Sequence, residues 1–366
     1  MDPLWSNVIR YLRFLLIITL LIMVGACGKK QSPKPAGQTD TPQLPASELN
    51  VWAPKHIRLR GFEDAVFKEF KDKYNCTVKL RIFEDIPSLL DTLQIEGNSS
   101  HVDVVMGLDN AFTWLDSSRS LFVPIAGFSR FNLSRDLIPD AQKRLVPYGY
   151  ANLCLVYNTK VFANAPESFG ELQDARYFRQ LGICSAQHNG EGRGTLFWTR
   201  ALFGDSGYEM LWKSIRKNIR DVYHSYDEAI SALQAGKVGM IIGYNSTAYW
   251  LQETQQAQTS FNHKILKEGS WQYSESAAIP IAAAHPLMAE NFINYLLDTQ
   301  AQTMVIYKLG LFPANSKTPL PFDFARIPIS SFVVNTRLSE SLVEENLPDW
   351  LQFWEDITNP SVIFYD

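Results

Sequence analysis

The chain has 366 residues, 46% of them hydrophobic and 20% charged, with a net charge of −4; this balance suits about two globular domains with a sizeable core. The acidic balance provides no basic field to hold a phosphate backbone, which excludes a general nucleic-acid binder. Four cysteines are too few to scaffold so long a chain, and the six histidines show no HExxH or paired ligand spacing, so no metal site is expected.

Arg10 and Arg13 precede an apolar run, Phe14 to Val24, that closes on Gly25-Ala26-Cys27. Its eleven residues are too few to cross a bilayer as a helix, which takes about 20. A positive start, a short apolar middle and small residues at the end make an export signal, here residues 1–26. Residues 27–48 carry Lys29, Lys30 and prolines 33, 35, 42 and 45 among Gln, Ser and Thr, the composition of a disordered tether. Beyond it stand Cys76, Cys154 and Cys184; one pair could form, although a buried free thiol is the commoner fate.

Leu49 to Trp52 opens the body as a short apolar strand. Phe62 to Tyr74 sets Phe62, Val66, Phe67, Phe70 and Tyr74 on one helical stripe, with charged residues elsewhere. Thr77 to Phe83 alternates Val78, Leu80 and Ile82 with Lys79 and Arg81, as a half-buried strand does. Pro87 to Ile95 reads as a second amphipathic helix, its proline suited to a first turn. Val102 to Met106 is a short apolar strand that ends at Gly107-Leu108-Asp109-Asn110. This βαβαβ rhythm predicts an α/β layer with a parallel sheet.

A second set begins near Tyr148. Strands are expected at 153–157, 238–243 and 277–283, and helices at 195–202, 208–217, 226–235 and 286–307. Two α/β lobes fit this pattern: 49–147 with about 275–316 in one, and 148–274 with about 317–366 in the other.

Ligands of open α/β sheets sit outside the C-terminal ends of the strands. Asp109-Asn110, Tyr148-Gly149-Tyr150 and Tyr244-Asn245-Ser246-Thr247 lie in such places. Each alone is also ordinary loop chemistry; together they point to a ligand cleft between the lobes. His188 to Gly194 is a glycine-rich loop entering a helix, where backbone N–H groups bind anions. Arg193 would complete a phosphate site there and Glu191 would repel a phosphate, so a plain hinge or capping loop stays open as the other reading. Gly204-Asp205-Ser206-Gly207 spells a protease nucleophile motif, but it follows a helical stretch and no nucleophile–base set accompanies it. No enzyme is expected.

Val24-Gly25-Ala26-Cys27 resembles the bacterial lipoprotein box, which implies lipidation of Cys27. The stretches 76–110, 148–160, 192–205, 226–249 and 268–302 resemble periplasmic solute-binding proteins of ABC importers. Within them the resemblance is nearest to the thiamine carriers, of the group that also includes iron and polyamine carriers, and it runs through most of residues 49–316. It implies a two-lobe periplasmic-binding-protein fold, α/β and type II-like, that closes by a hinge over thiamine or a thiamine phosphate. It also implies a monomer without cofactor or catalysis, lipid-anchored outside the cytoplasm on the periplasmic side or at the cell surface. Such a carrier delivers its ligand to a membrane permease and, through it, serves an ATPase. An iron or polyamine carrier, or a surface lipoprotein that kept the fold without transport, are the alternatives.

The resemblance puts Asp109 on the family's acid, Tyr244 and Tyr249 on pocket tyrosines, and Tyr226 on a tryptophan that stacks. Asn189 and Arg193 lie in the loop that replaces the family's serine-threonine loop. Tyr150 and Trp271 complete the candidate ligand set. Two aromatics are replaced: the family's early tyrosine falls near Pro54 and its late tryptophan near Gly310. Since an aromatic face attracts a cation by about 0.5–2 kcal/mol, such losses would alter affinity or choice of ligand.

Overall fold

The computed structural model describes residues 47–358 except 126, 128–132, 136, 138–139 and 256–259. The export signal, Cys27 and the tether up to residue 46 lie outside the described residues.

β1 (Glu48–Pro54) turns Leu49, Val51 and Ala53 to one face and Trp52 to the other, and both faces are covered. α1 (His56–Leu59) and α2 (Phe62–Tyr74) follow, with Phe62, Val66, Phe67 and Phe70 buried as the apolar spacing predicts. β2 (Thr77–Phe83) leads to α3 (Ile86–Glu96), whose first turn is fixed by the Asp85 carboxylate accepting the Ser88 N–H at 2.9 Å. β3 (Val104–Asp109) is wholly buried and ends on Asp109; α4 (Asp116–Arg119) is a single turn beyond it.

β4 (Val146–Asn158) opens the second lobe, followed by β5 (Leu181–Cys184), α5 (Gly190–Ile215) and β6 (Ile219–Tyr223). Next come α6 (Tyr226–Gln234), β7 (Met240–Tyr244), α7 (Thr247–Gln255) and β8 (Phe261–Lys264). β9 (Gln272–Ala278) returns to the first lobe, which α8 (Pro286–Leu296), α9 (Thr299–Met304) and β10 (Phe312–Pro313) complete before α10 (Glu340–Thr358).

The strands run in the order β2-β1-β3-β9-β4-β7-β5-β6. β1 pairs in parallel with β2 and β3, and β5 pairs in parallel with β6 and β7, so each lobe has its own parallel core. β9 runs antiparallel to β3 of the first core, β4 runs antiparallel to β7 of the second, and the two pair antiparallel with each other to join the lobes. β4 pairs with β9 through Val146–Asn152 and then with β7 through Leu153–Tyr157. A rotation of one lobe against the other must bend these two strands.

At the crossing, the Asn152 N–H donates to the Asn245 side-chain oxygen at 3.0 Å, and the Asn152 side chain accepts from the Ser330 N–H at 3.1 Å. Asn245 in turn donates to the Pro328 carbonyl at 2.8 Å, so the C-terminal segment is tied into the crossing. Farther along it, Trp354 of α10 meets Trp212 of α5 edge to face, ring centroids 4.7 Å apart, and both are fully buried.

Three expectations shift. The strand expected at 277–283 lies at Gln272–Ala278, because QYSESAA buries polar side chains and shows no apolar alternation. The helical stretch expected at 286–307 divides between α8 and α9, with a π-helical turn at Val305–Leu309. The two helices expected at 195–202 and 208–217 are the two arms of α5, separated by a kink at Gly204 where φ is 62°, with the first arm starting earlier, at Gly190. Cys76, Cys154 and Cys184 are all buried free thiols.

Candidate functional site

A narrow cleft lies between the lobes, with about 70 Å³ of space open to water-sized groups. It is lined where helices start beyond the strand ends: Asp109 after β3, Asn189-Gly190-Glu191 at the start of α5, Tyr226 and Asp227 at the start of α6, and Tyr244 at the end of β7. Pro54, His56 and Arg60 close it from the first lobe, and Tyr273 and Glu275 of β9 form its floor.

Three tyrosines form a ladder along one wall. The ring centroids of Tyr226 and Tyr244 are 4.8 Å apart, as are those of Tyr244 and Tyr273. The Tyr244 N–H donates to the Tyr226 hydroxyl at 3.0 Å, and that hydroxyl lies 2.5 Å from the Thr247 hydroxyl. The Tyr244 hydroxyl donates to Glu191, and the Tyr273 hydroxyl donates to Glu275 at 3.1 Å. Each ring is thus held by a hydrogen bond and by its neighbour, the planes tilted by 55° and 39°.

Carboxylates alternate with these rings. Asp109 is 1% exposed, Glu275 2% and Glu191 7%. Glu275 receives His56 at 3.1 Å and the hydroxyls of Tyr148 and Tyr273. Burial alone would raise its pKa, but His56, the Tyr148 hydroxyl and the Arg60 charge outweigh it and the net shift is downward. Burial would likewise lower His56, yet the Glu275 carboxylate carries it upward. Arg60 is held the same way: burial opposes its charge, Asp227 at 2.7 Å restores it, and its pKa ends above the ordinary value. Arg60 also donates to the Leu309 carbonyl at 3.0 Å.

Asp109 and Glu191 differ, because among the described residues neither has a cation within ion-pair distance. Burial drives Asp109 up to about 7, with Glu191 adding to the rise and the N–H groups of Phe112 and Ala111 opposing it. Glu191 is raised chiefly by burial, against the Tyr244 hydroxyl. Gly190 lets the start of α5 come down on Asp109: a β-carbon there would overlap the Asp109 carboxylate. Neither acid is in a direct ion pair among the described residues; the cations that act on them stand beyond that distance, Arg193 for Asp109 and Arg60 and His56 for Glu191, and burial outweighs them.

Of the eight ligand candidates read from the sequence, Asp109, Tyr226, Tyr244 and Asn189 line the cleft. Asn189 does so as the cap of α5, its side chain accepting the N–H groups of Glu191 and Gly192 at 3.0 and 3.2 Å. The other four lie elsewhere. Tyr150 packs on Phe312, with its hydroxyl 2.9 Å from that of Ser134. Tyr249 stands edge to face on Phe324. Trp271 is fully buried between Trp114 and Phe197. Arg193 lies over the Phe112 ring at 3.9 Å and donates to the Ala186 carbonyl at 2.9 Å, outside the cleft lining, while its charge acts to lower the Asp109 pKa. His56, Arg60 and Glu275 are cleft residues that sequence reading passes over, because each acquires its role from a partner at least 167 positions away. Near the replaced aromatics, Pro54 lines the cleft, while Gly310 adopts φ 69° with Trp250 packed against it.

The family profile described as bacterial extracellular solute-binding protein matches residues 65–329. The thiamine-binding periplasmic protein of Salmonella typhimurium is 25% identical over 295 residues, 80% of this chain and 87% of that protein. The protein of that name from Haemophilus influenzae is 24% identical over 287 residues, 76% and 82% of the two chains. Among solved structures, a periplasmic thiamin binding protein superposes with a TM-score of 0.76 at 23% identity, covering 85% of this chain and 96% of that one. Iron-bound HitA from Pseudomonas aeruginosa superposes with a TM-score of 0.69 at 18% identity, over 85% and 99%. At these identities the structures establish the shared two-lobe fold.

Proposed function

This chain belongs to the bacterial extracellular solute-binding proteins, and from that premise we propose that it captures thiamine for an ABC importer. The observation that carries the ligand is the pairing of a three-tyrosine ladder with Asp109 and Glu191, two buried acids that burial holds above the ordinary carboxylate range and that make no direct ion pair among the described residues. A flat organic cation answers both: its rings stack on tyrosine faces and its charge supports the ionised carboxylates. A phosphate tail answers neither, since Glu191 and Asp109 stand at the start of α5 and Asn189 occupies two of that helix's N–H donors. Free thiamine is therefore preferred over its phosphates.

Capture proceeds by closure. Arg60 of the first lobe pairs with Asp227 of the second, and α5 descends on Asp109, so a ligand between them touches both lobes only when they are together. It then shifts the population toward the closed form, which the permease and its ATPase accept. In the same reading, Cys27 carries a lipid that holds the chain at a membrane, and the absence of labelled-lipid incorporation in Cys27→Ala would check it.

The acid-rich lining also suits a polyamine, with Glu84, Asp85 and Asp227 near the three buried acids. An iron site built on paired tyrosines is not formed: Tyr244 is engaged by Glu191 and Tyr249 packs on Phe324. A fluorescence titration of the purified chain with thiamine, thiamine pyrophosphate and spermidine separates these readings. Saturable submicromolar thiamine binding, weaker for the pyrophosphate, is expected. Tighter binding of spermidine would replace the ligand, and no binding to any thiamine form by folded, ligand-free protein would remove it while leaving the family untouched.

A further inference from the structure

At the mouth of the cleft, three helix starts converge. Asp85 caps α3, His188 precedes the cap of α5, and His224 precedes Ser225, the cap of α6. The N–H donors at these ends are already taken by the side chains of Asp85, Asn189 and Ser225. What faces the gap is therefore the second Asp85 carboxylate oxygen, hydrogen-bonded to His188, and two imidazoles.

We propose that Asp85, His188 and His224 bind a divalent transition-metal ion of the zinc type, which fastens the two lobes at the mouth of the cleft. One ligand atom from each of the three lies within 4.8 Å of the others. Asp85 Oδ2 and His188 Nδ1 are 2.9 Å apart, and the two imidazole centroids 4.6 Å. Around a tetrahedral zinc with bonds of about 2.0–2.1 Å, ligand atoms stand about 3.3 Å apart. The half-exposed imidazoles reach that spacing by small side-chain rotations. Two histidines and a carboxylate are a ligand set that zinc accepts, leaving a fourth position for water. Glu84 stands beside it, its carboxylate 3.8 Å from His224 Nε2.

The ligands come from opposite sides of the cleft. Asp85 belongs to the first lobe and both histidines to the second, so the three assemble only when the lobes are together. A metal ion held there binds the closed form and not the open one, and it shifts the population accordingly. The coupling to closure rests on the hinge described under the proposed function; the metal site does not depend on which solute is carried.

The test titrates the purified chain, without a polyhistidine tag, with zinc chloride in competition with a chromophoric chelator. One zinc per chain is expected, weakened about tenfold or more in His188→Ala and in His224→Ala, and unchanged in His101→Asn, whose residue lies away from the cleft. Small-angle scattering with zinc alone should show a smaller radius of gyration, a change absent from His188→Ala. Failure to bind zinc, or binding that both histidine variants leave intact, overturns the site. Binding at these histidines without compaction, in a chain that does compact with thiamine, overturns the fastening; no compaction with either ligand would instead count against hinge closure.

Discussion

Inside the cleft Asp109 is 1% exposed, while at its mouth the His188 and Glu84 side chains keep 47% and 60% of their surface in water. Both places join the same two lobes with charged groups, yet the physics differs. In the interior, burial raises Asp109 to about 7, and a cation supplied by the ligand meets little screening. At the mouth, water and salt weaken each pair to about 0–1 kcal/mol, so exposed contacts such as His188 with Asp85 guide closure without deciding what is carried. Choice of solute belongs to the interior, and the mouth gains strength only where a metal ion concentrates charge.

Asp109→Asn breaks this contrast most severely. It removes the carboxylate and keeps the shape, and calorimetry should show thiamine affinity falling about 100-fold or more, as for a buried charge that loses its partner. Tyr244→Ala removes the central ring of the ladder; a loss of about tenfold is expected in the same titration, with Tyr244→Phe retaining most of the affinity. Lowering pH probes Asp109 without mutation. Its raised pKa means that acid neutralises the carboxylate, so affinity for a cation should fall about tenfold between about pH 8 and pH 6, and the Asn variant should lose this slope. Tyr249→Phe sharpens the contrast by doing nothing: its ring packs on Phe324 outside the cleft, and affinity should stay unchanged.

The parts legible in the sequence are those fixed by local pattern. The apolar stripe of α2 and the strand ending on Asp109 follow from spacing alone, and the tyrosines of α6 and β7 follow from family resemblance. β9 is illegible by the same rules: Gln272, Ser274, Glu275 and Ser276 are buried polar residues, and the Gln272 and Ser274 N–H groups and the Glu275 carboxylate bond to Asn335, Asn110 and His56, partners that only the fold supplies. Of its two cleft residues, Tyr273 is legible as an aromatic that either walls the cleft or packs the hinge, while Glu275 goes unseen. The Arg60–Asp227 pair is hidden for a related reason, since 167 positions separate its members. Trp271 and Arg193 show the converse: residue types suited to a ligand site stand outside the cleft lining, which local sequence cannot distinguish.

Calorimetric titration of thiamine near pH 7, in two buffers of different ionisation enthalpy, counts the protons exchanged on binding. With Asp109 at about 7 in the free protein, cation binding should release about half a proton per thiamine, and Asp109→Asn should release almost none. Tight binding with no proton release, or with uptake, would contradict a cation received by buried carboxylates.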